Sequence, residues 1–184
     1  MDWNLRLADE ADIPAIDKLI PLSVRALQAP YYTSAQMDAA IGPIFGVDRQ
    51  LIKDRTYFVA EARGHIVGCG AWSKRKATSG GDQSRTQDDF DELDPRRDPA
   101  RIRAFFVHPD WARQGIGRSI LAACEKALQE AGFFRVELVG TLAGEPLYAA
   151  FGYQVIERYE MPITNGLGLP VVRMSKQLKP ACDQ

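Results

Sequence analysis

The sequence predicts an α+β domain with a mixed, mostly antiparallel central sheet of six to seven strands flanked by helices. Three observations support this fold class. One pair of β-prone runs lies near residues 57–72, a second closes the chain at 153–178, and a β-α-β unit separates them at 102–138. Short turns connect antiparallel strands, whereas a strand–helix–strand unit connects parallel ones. The 184 residues suit a single domain spanning 1–184.

The chain opens with a short predicted strand at residues 4–7. Asp9 is a suitable N-cap for the helix that follows. The apolar residues of this helix recur on one face, at Ile13, Ile16, Leu19 and Ile20. Pro21 should end or kink the helix. A weaker second helix is then capped by Thr33 or Ser34.

The first hairpin turns at Arg63-Gly64, between strands predicted at residues 57–60 and 65–72. After it, residues 74–101 form a long polar loop containing the acid-rich segment "DDFDELDPRRDP". Loops of this length without internal structure are unusual inside a compact domain. The segment is therefore interpreted either as partly disordered or as a functional surface loop.

The β-α-β unit begins with a strand at residues 102–107 and continues as a helix at 115–131 with apolar residues at three- and four-residue spacing. Gly132 is its predicted C-terminal stop. "FRVELVG" is the next strand and "EPLYAAFG" a short helix, and a hairpin across "TNGLG" closes the chain.

Bulk properties exclude several classes of protein. The formal net charge of −1 gives no basic field for nucleic acid, and no apolar run is long enough for a membrane span. The N-terminus has no apolar signal core, so a cytoplasmic location is expected. Cys69, Cys124 and Cys182 fit neither a disulfide framework nor metal-ligand spacing, and the first two are expected to be buried thiols.

The segment "FFVHPDWARQGIGRSIL" places two glycines, Gly115 and Gly117, at the start of a helix. Free amides at a helix N-terminus bind anions, and glycine lets a phosphate approach the backbone. Arg113 and Arg118 add charge on either side of the turn. The alternative is that the glycines serve only a tight turn. The glycine spacing fits neither the Walker motif nor the dinucleotide fingerprint.

These residues resemble the acetyl-CoA-binding segment of the GCN5-related N-acetyltransferase (GNAT) superfamily. That segment is a strand ending in Val-His-Pro and a loop of pattern Arg/Gln-x-x-Gly-x-Gly/Ala, followed by a helix. Ala112 departs from the first position of the pattern. "PLYAAFGYQV" resembles a second family motif, with Tyr148 four residues before Gly152, and the opening strand and helix match as well.

The resemblance implies that the strand before the loop splays from its neighbour, opening a cleft for acetyl-CoA. The pantetheine arm would pair with the backbone of Phe105, Phe106 and Val107. The diphosphate would lie on the loop residues Arg113, Gln114, Gly115, Ile116, Gly117 and Arg118. Tyr148 resembles the general acid that protonates the departing thiolate.

The resemblance leaves several candidates for the general base. Many relatives carry a glutamate on the strand before the loop, where this sequence has Arg101 and Arg103. Glu137 is the foremost candidate, with Glu61 and Glu145 behind it. His108 is expected to support the turn instead. A water chain, or an amine that arrives neutral, is an equal alternative.

The sequence therefore predicts an N-acetyltransferase that moves an acetyl group from acetyl-CoA to a primary amine of a small molecule or peptide. A non-catalytic acyl-CoA sensor and a protein-modifying acetyltransferase are the alternatives. The predicted partners are acetyl-CoA, an amine acceptor and a second copy in a homodimer, with no nucleic acid, membrane or metal.

Overall fold

A computed structural model describes residues 3–84 and 86–179. Its strands are β1 (Asn4–Leu7), β2 (Tyr57–Ala62), β3 (His65–Ser73), β4 (Ala100–Val107), β5 (Arg135–Thr141), β6 (Gln154–Pro162) and β7 (Gly168–Gln177). The helices are α1 (Ile13–Leu27), α2 (Ser34–Ala40), α3 (Arg49–Lys53), α4 (Ile116–Glu130) and α5 (Glu145–Ala150). The predicted order of elements is present, with α3 as an addition.

The strands form one seven-stranded sheet in the order β1-β2-β3-β4-β5-β7-β6. Neighbouring strands are antiparallel except β4 and β5, which are parallel and are connected through α4. A parallel pair needs such a crossover, whereas hairpins suffice elsewhere. The predicted α+β class and mixed, mostly antiparallel sheet are confirmed.

The parallel pair β4 and β5 separates soon after it begins. Pairing stops at Ile102 and Leu138, although both strands continue. Ala104 has a φ of +59°, and the register of β4 against β3 shifts at this point. An irregularity of this kind bends a strand. The bend leaves a V-shaped gap between the carboxyl ends of β4 and β5.

Helices cover the two faces of the sheet, with α1 packed into one buried cluster and α4 into the other. The approach of α4 to β3 depends on two glycines. A Cβ on Gly68 would lie 2.5 Å from Ile116 Cγ2, and one on Gly70 would lie 2.6 Å from Ile120 Cγ2. Both separations are too short for side-chain carbons. These glycines therefore fix how closely α4 packs on β3.

Pro21 was predicted to end or kink the helix, and the end was wrong, because α1 continues through Pro21 to Leu27. Proline lacks the N–H that would bond to the carbonyl four residues earlier. That carbonyl belongs to Asp17, an exposed residue, so water can satisfy it. The cost of the proline is therefore small at this position.

The polar loop at residues 74–101 is attached to the body of the domain in its described part. The Arg75 guanidinium donates to Asp54 at 2.5 and 2.8 Å and to the Phe90 carbonyl at 2.6 Å. Lys76 donates to Asp91 at 2.7 Å. Short 3₁₀ turns interrupt the loop. These contacts favour the interpretation as an ordered surface loop.

Cys69 and Cys124 are buried free thiols, as predicted, while Cys182 lies outside the described residues. No helix in the described ranges is long and apolar enough to cross a bilayer. The edge strand β6 exposes Val155 and Ile156. The homodimer stays a prediction.

Candidate functional site

A cleft of about 540 Å³ opens where β4 and β5 diverge. One part of its wall comes from the loop before α4, the first turn of α4, and α5. The other part comes from the end of α1 and from residues 44–46 and 78–80. The splayed strands thus form the floor of the cleft. On one side of this floor lie α4, its preceding loop and α5, and on the other lie the end of α1 and residues 44–46 and 78–80.

The first turn of α4 exposes its amides to this cleft. Gly115 is the N-cap residue, with a φ of +92°, and no side chain caps the helix. Arg113 also has a positive φ, of +63°. At Gly117 a Cβ would lie 3.2 Å from Leu147 Cδ2. The loop therefore presents bare backbone donors, a geometry that suits a phosphate or another anion.

Two arginines add positive charge beside these donors. Arg113 and Arg118 are exposed and line the cleft. Neither forms an ion pair with any residue that the structure describes. The Arg118 guanidinium lies 5.2 Å from the centre of the Phe151 ring, which restricts where it can reach. This end of the cleft therefore carries unneutralised cationic charge.

Tyr148 lies on the wall of the same cleft, in the middle of α5. It is 7% exposed, and burial raises the pKa of its phenol above the ordinary value. The charged form of nearby Cys124 would raise that pKa further. The hydroxyl consequently stays protonated at any pH in which the protein works, and it can donate a hydrogen bond.

Two glycines that sequence reasoning did not single out make room for the Tyr148 ring. A Cβ on Gly140, in β5, or on Gly144, the residue before α5, would lie 3.1 Å from Tyr148 Cε2. The sequence signal was weak, since neither glycine has a positive φ or belongs to a motif.

The structure brings nearly all of the predicted donor-binding residues to one cleft. Its lining includes Phe105, Phe106, Val107, Arg113, Gly115, Ile116, Gly117 and Arg118. Gln114 is not part of that lining, and its side-chain Nε2 donates to the Asp110 backbone carbonyl at 3.0 Å. The N–H of Val107 already donates to Ser23 Oγ at 3.1 Å.

Glu137 does not line the cleft. Its Oε2 accepts from Arg101 Nη1 at 3.0 Å and from Arg173 Nη2 at 3.1 Å, beside a second cavity. His108 Nδ1 accepts from the Asp110 N–H at 3.2 Å, an arrangement that supports the turn. The described residues that line the cleft include no carboxylate and no imidazole.

The half of the cleft away from α4 contains an unsatisfied polar atom. Gln28, at the end of α1, is 6% exposed, and no described residue donates to its Oε1. Opposite lies the segment 78–80, where the Gly80 carbonyl accepts from Arg103 at 2.5 Å. Arg103 is itself paired with buried Asp48 at 2.9 Å. The long loop therefore forms a wall of this half of the cleft, and the Gln28 Oε1 atom is a buried acceptor there to which no described residue donates.

A comparison with models of protein families identifies the acetyltransferase (GNAT) domain over residues 53–155. The match covers more than half of the sequence, including the diverging strands, the glycine loop and Tyr148. The chain belongs to the GNAT acetyltransferase family.

Solved structures with the GNAT fold match nearly the whole chain. A GCN5-related N-acetyltransferase from Rhodopseudomonas palustris is 20% identical, with a TM-score of 0.70 and 97% of both chains covered. YncA of Salmonella typhimurium, a putative acetyltransferase solved with acetyl-CoA, is 19% identical, with a TM-score of 0.61 and coverage of 100% and 98%. PaiA N-acetyltransferase of Thermoplasma acidophilum, solved with coenzyme A, is 13% identical, with a TM-score of 0.64 and coverage of 96% and 99%. A search of curated proteins found no match.

Proposed function

We propose that this GNAT protein transfers an acetyl group from acetyl-CoA to a primary amine of a small molecule. The observation that carries the proposal is one cleft with an uncapped helix N-terminus at one end and the Tyr148 hydroxyl on its wall. Two structures that share the fold were solved with coenzyme A or acetyl-CoA. Their similarity in fold supports acetyl-CoA as the donor. The residues of this chain that line the cleft provide a physical basis for its binding.

The donor would be held mainly by backbone groups. Its diphosphate would accept hydrogen bonds from the amides at the start of α4, with Arg113 and Arg118 near the phosphate oxygens. Beyond Ile102, the edge of β4 that faces β5 has no paired strand. Its peptide groups can therefore pair with an extended pantetheine arm, as in strand addition.

The chemistry requires only proton transfers in addition to this positioning. The amine nitrogen attacks the thioester carbonyl carbon, and the carbonyl electrons move onto oxygen. When the tetrahedral intermediate collapses, the C–S bond breaks and the thiolate takes the proton of Tyr148. Solvent then reprotonates the phenol. Tyr148 is thus the proposed general acid, and burial keeps its proton in place.

The amine must be unprotonated when it attacks, and its nitrogen then loses a further proton to water as the tetrahedral intermediate collapses to the amide. Because no carboxylate or imidazole lines the cleft among the described residues, we favour water or an amine that arrives neutral. Glu137 remains a candidate only through intervening water, since its Oε2 is already shared by two guanidiniums. Positioning of the two substrates would supply much of the rate.

The segment 78–80 favours a small acceptor over a folded protein. It lies against the cleft and is tied to β4 through the bond from Arg103 to the Gly80 carbonyl. A polypeptide acceptor would need an open groove on this side. A non-catalytic acyl-CoA sensor would bind the donor equally well but would have no use for the Tyr148 hydroxyl.

The test combines binding and turnover. Calorimetric titration with acetyl-CoA should show one site per chain, and a thiol-release assay with a panel of primary amines should show release of CoA. Binding without turnover on any amine would favour the sensor. No binding of acetyl-CoA by folded protein would contradict the proposal as a whole.

A further inference from the structure

A second cavity, of about 270 Å³, adjoins the cleft. Thr78 and Val139 line both spaces, so the two cavities are adjacent. The walls of this side cavity carry four charged groups, namely Arg101, Glu137, Glu157 and Arg173. None of the predicted donor-binding residues belongs to it.

The charges in the side cavity are not balanced at close range. A single oxygen, Glu137 Oε2, accepts from Arg101 at 3.0 Å and from Arg173 at 3.1 and 3.3 Å. Glu157 Oε2 lies 3.8 Å from Arg173 Nη1, beyond hydrogen-bond distance, and the Glu157 side chain is 55% exposed. Two guanidiniums therefore share one close carboxylate, which leaves room for a second anion.

Arg101 is the less satisfied of the two guanidiniums. Its side chain is 15% exposed, and its Nε is buried with no hydrogen-bond partner among the described residues. Burial lowers the pKa of Arg101 despite the attraction of Glu137, and repulsion by Arg173 acts in the same direction. Asp98 attracts it only at longer range. A buried cation in this condition is stabilised by an additional anionic ligand.

The cleft itself carries the complementary feature. Gln28 lines the cleft, and its buried Oε1 receives no hydrogen bond from any described residue. An unsatisfied buried carbonyl of this kind costs free energy until a donor reaches it. An amine N–H is such a donor. One acceptor molecule could therefore satisfy Gln28 through its amine and the two arginines through an anionic group.

We propose that the acceptor is a small amine that also carries a carboxylate, which Arg101 and Arg173 bind in the side cavity while Gln28 receives an N–H of the amine. The inference rests on the proposed acetyl transfer and specifies its substrate class. Guanidinium groups suit it because their paired N–H donors match the two oxygens of a carboxylate.

The test measures discrimination between matched acceptors in the thiol-release assay with acetyl-CoA. Suitable pairs are L-leucine with L-leucinamide, and γ-aminobutyrate with n-butylamine. Rates are expressed per concentration of unprotonated amine, because the members of a pair differ in amine pKa. In at least one pair, the carboxylate-bearing member should have a kcat/KM about tenfold higher or more.

Two variants of Arg173 test whether this residue causes the preference for the carboxylate-bearing acceptor. Arg173→Met should bring the ratio of the two kcat/KM values close to one, mainly through a higher KM for the carboxylate-bearing member. Arg173→Lys, which keeps the positive charge, should retain part of the preference for the carboxylate-bearing member. Arg173 is the better target than Arg101 because it is 40% exposed and its replacement disturbs packing less. The control is Arg135→Gln, at an exposed arginine of β5, which should keep the wild-type ratio.

The outcomes separate this inference from the proposed function. If neutral amines release CoA as fast as their carboxylate-bearing partners, or if no carboxylate-bearing amine releases it, the inference is wrong. The same holds if Arg173→Met keeps the wild-type ratio. Loss of acetyl-CoA binding in calorimetry would instead contradict the proposed function.

Discussion

The ring of Tyr148 packs edge-on against the ring of Phe105, with centroids 6.0 Å apart and ring planes at 70°. The ring of Tyr153 also packs against the ring of Tyr148, with centroids 5.9 Å apart. Both contacts involve only the aromatic ring, so the hydroxyl of Tyr148 can be removed without loss of packing. A single substitution therefore separates the proposed chemistry from the structure of the cleft.

Tyr148→Phe should leave acetyl-CoA binding unchanged and lower kcat by about a hundredfold, the usual scale for general acid catalysis. Calorimetry gives the affinity, and the thiol-release assay gives kcat. The melting temperature serves as the control, because the ring contacts with Phe105 and Tyr153 are retained. A variant that turns over as fast as wild type would exclude Tyr148 as the acid.

The pH dependence of kcat/KM should follow the acceptor, since the described lining of the cleft contains no carboxylate or imidazole. Only the unprotonated amine attacks, so kcat/KM should rise about tenfold per pH unit up to the amine pKa. Burial raises the pKa of Tyr148, and the acid form therefore persists. No fall in rate is expected below about pH 10.

Two acceptors of different amine pKa distinguish this behaviour from catalysis by a protein base. The midpoint of the rising limb should move with the substrate. If it stays fixed for both acceptors near pH 6 or 7, a group of the enzyme controls the step, and Glu137 becomes the first candidate.

Gly117→Glu should abolish measurable acetyl-CoA binding. The new side chain would place a negative charge among the amides proposed to hold the diphosphate, and even its Cβ would lie 3.2 Å from Leu147 Cδ2. Ala122→Glu, at an exposed position of the same helix, is the matched control and should bind normally. Calorimetry and far-UV circular dichroism together measure binding and folding.

The proposed donor half of the cleft was predictable because its residues are local in sequence. The strand, the glycine loop and the start of α4 lie within residues 100–120, so spacing alone placed Gly115 and Gly117 at the helix N-terminus. Tyr148 was proposed from its resemblance to a family motif, four residues before Gly152, and its role as the acid stays a prediction. Backbone recognition also tolerates change in side chains, and for this reason Ala112 did not obscure the pattern.

The acceptor half was not predictable, because its determinants come together only in the folded chain. Gln28 caps the C-terminus of α1, whereas Arg101 and Arg173 belong to β4 and β7, and the three residues have no common motif. Glu137 was proposed as a base from its strand, but the strand could not show that two arginines already occupy its carboxylate. Side-chain pairing across a sheet depends on strand order, which the local pattern leaves open.

Gly70→Ala tests the close packing of α4 on β3. The added methyl would lie 2.6 Å from Ile120 Cγ2 and 2.7 Å from the ring of Phe105. Neither neighbour is a flexible chain end, so the helix must shift. Overpacking of this kind costs about 1–3 kcal/mol of unfolding free energy. Denaturant unfolding should show the loss, and an unchanged midpoint would mean that α4 adjusts freely.

Gln28→Leu should raise the KM for the amine acceptor by about three- to tenfold while leaving the affinity for acetyl-CoA unchanged. The physical reason is that the variant loses one hydrogen bond to the acceptor. In the free protein, the same change removes a buried carbonyl that has no described partner. The unfolding free energy should therefore stay the same or increase.

Gln36→Leu is the matched control, since the Gln36 amide is fully used. Its Oε1 accepts from the Thr33 N–H at 2.9 Å, and its Nε2 donates to the Gly168 carbonyl at 2.8 Å. This variant should lose stability by about 1 kcal/mol or more and keep the wild-type KM. The two substitutions should thus have opposite effects on stability and KM, because Gln36 stabilises the fold whereas Gln28 is proposed to bind the acceptor. If Gln28→Leu lowers stability and leaves KM unchanged, Gln28 serves the fold as well.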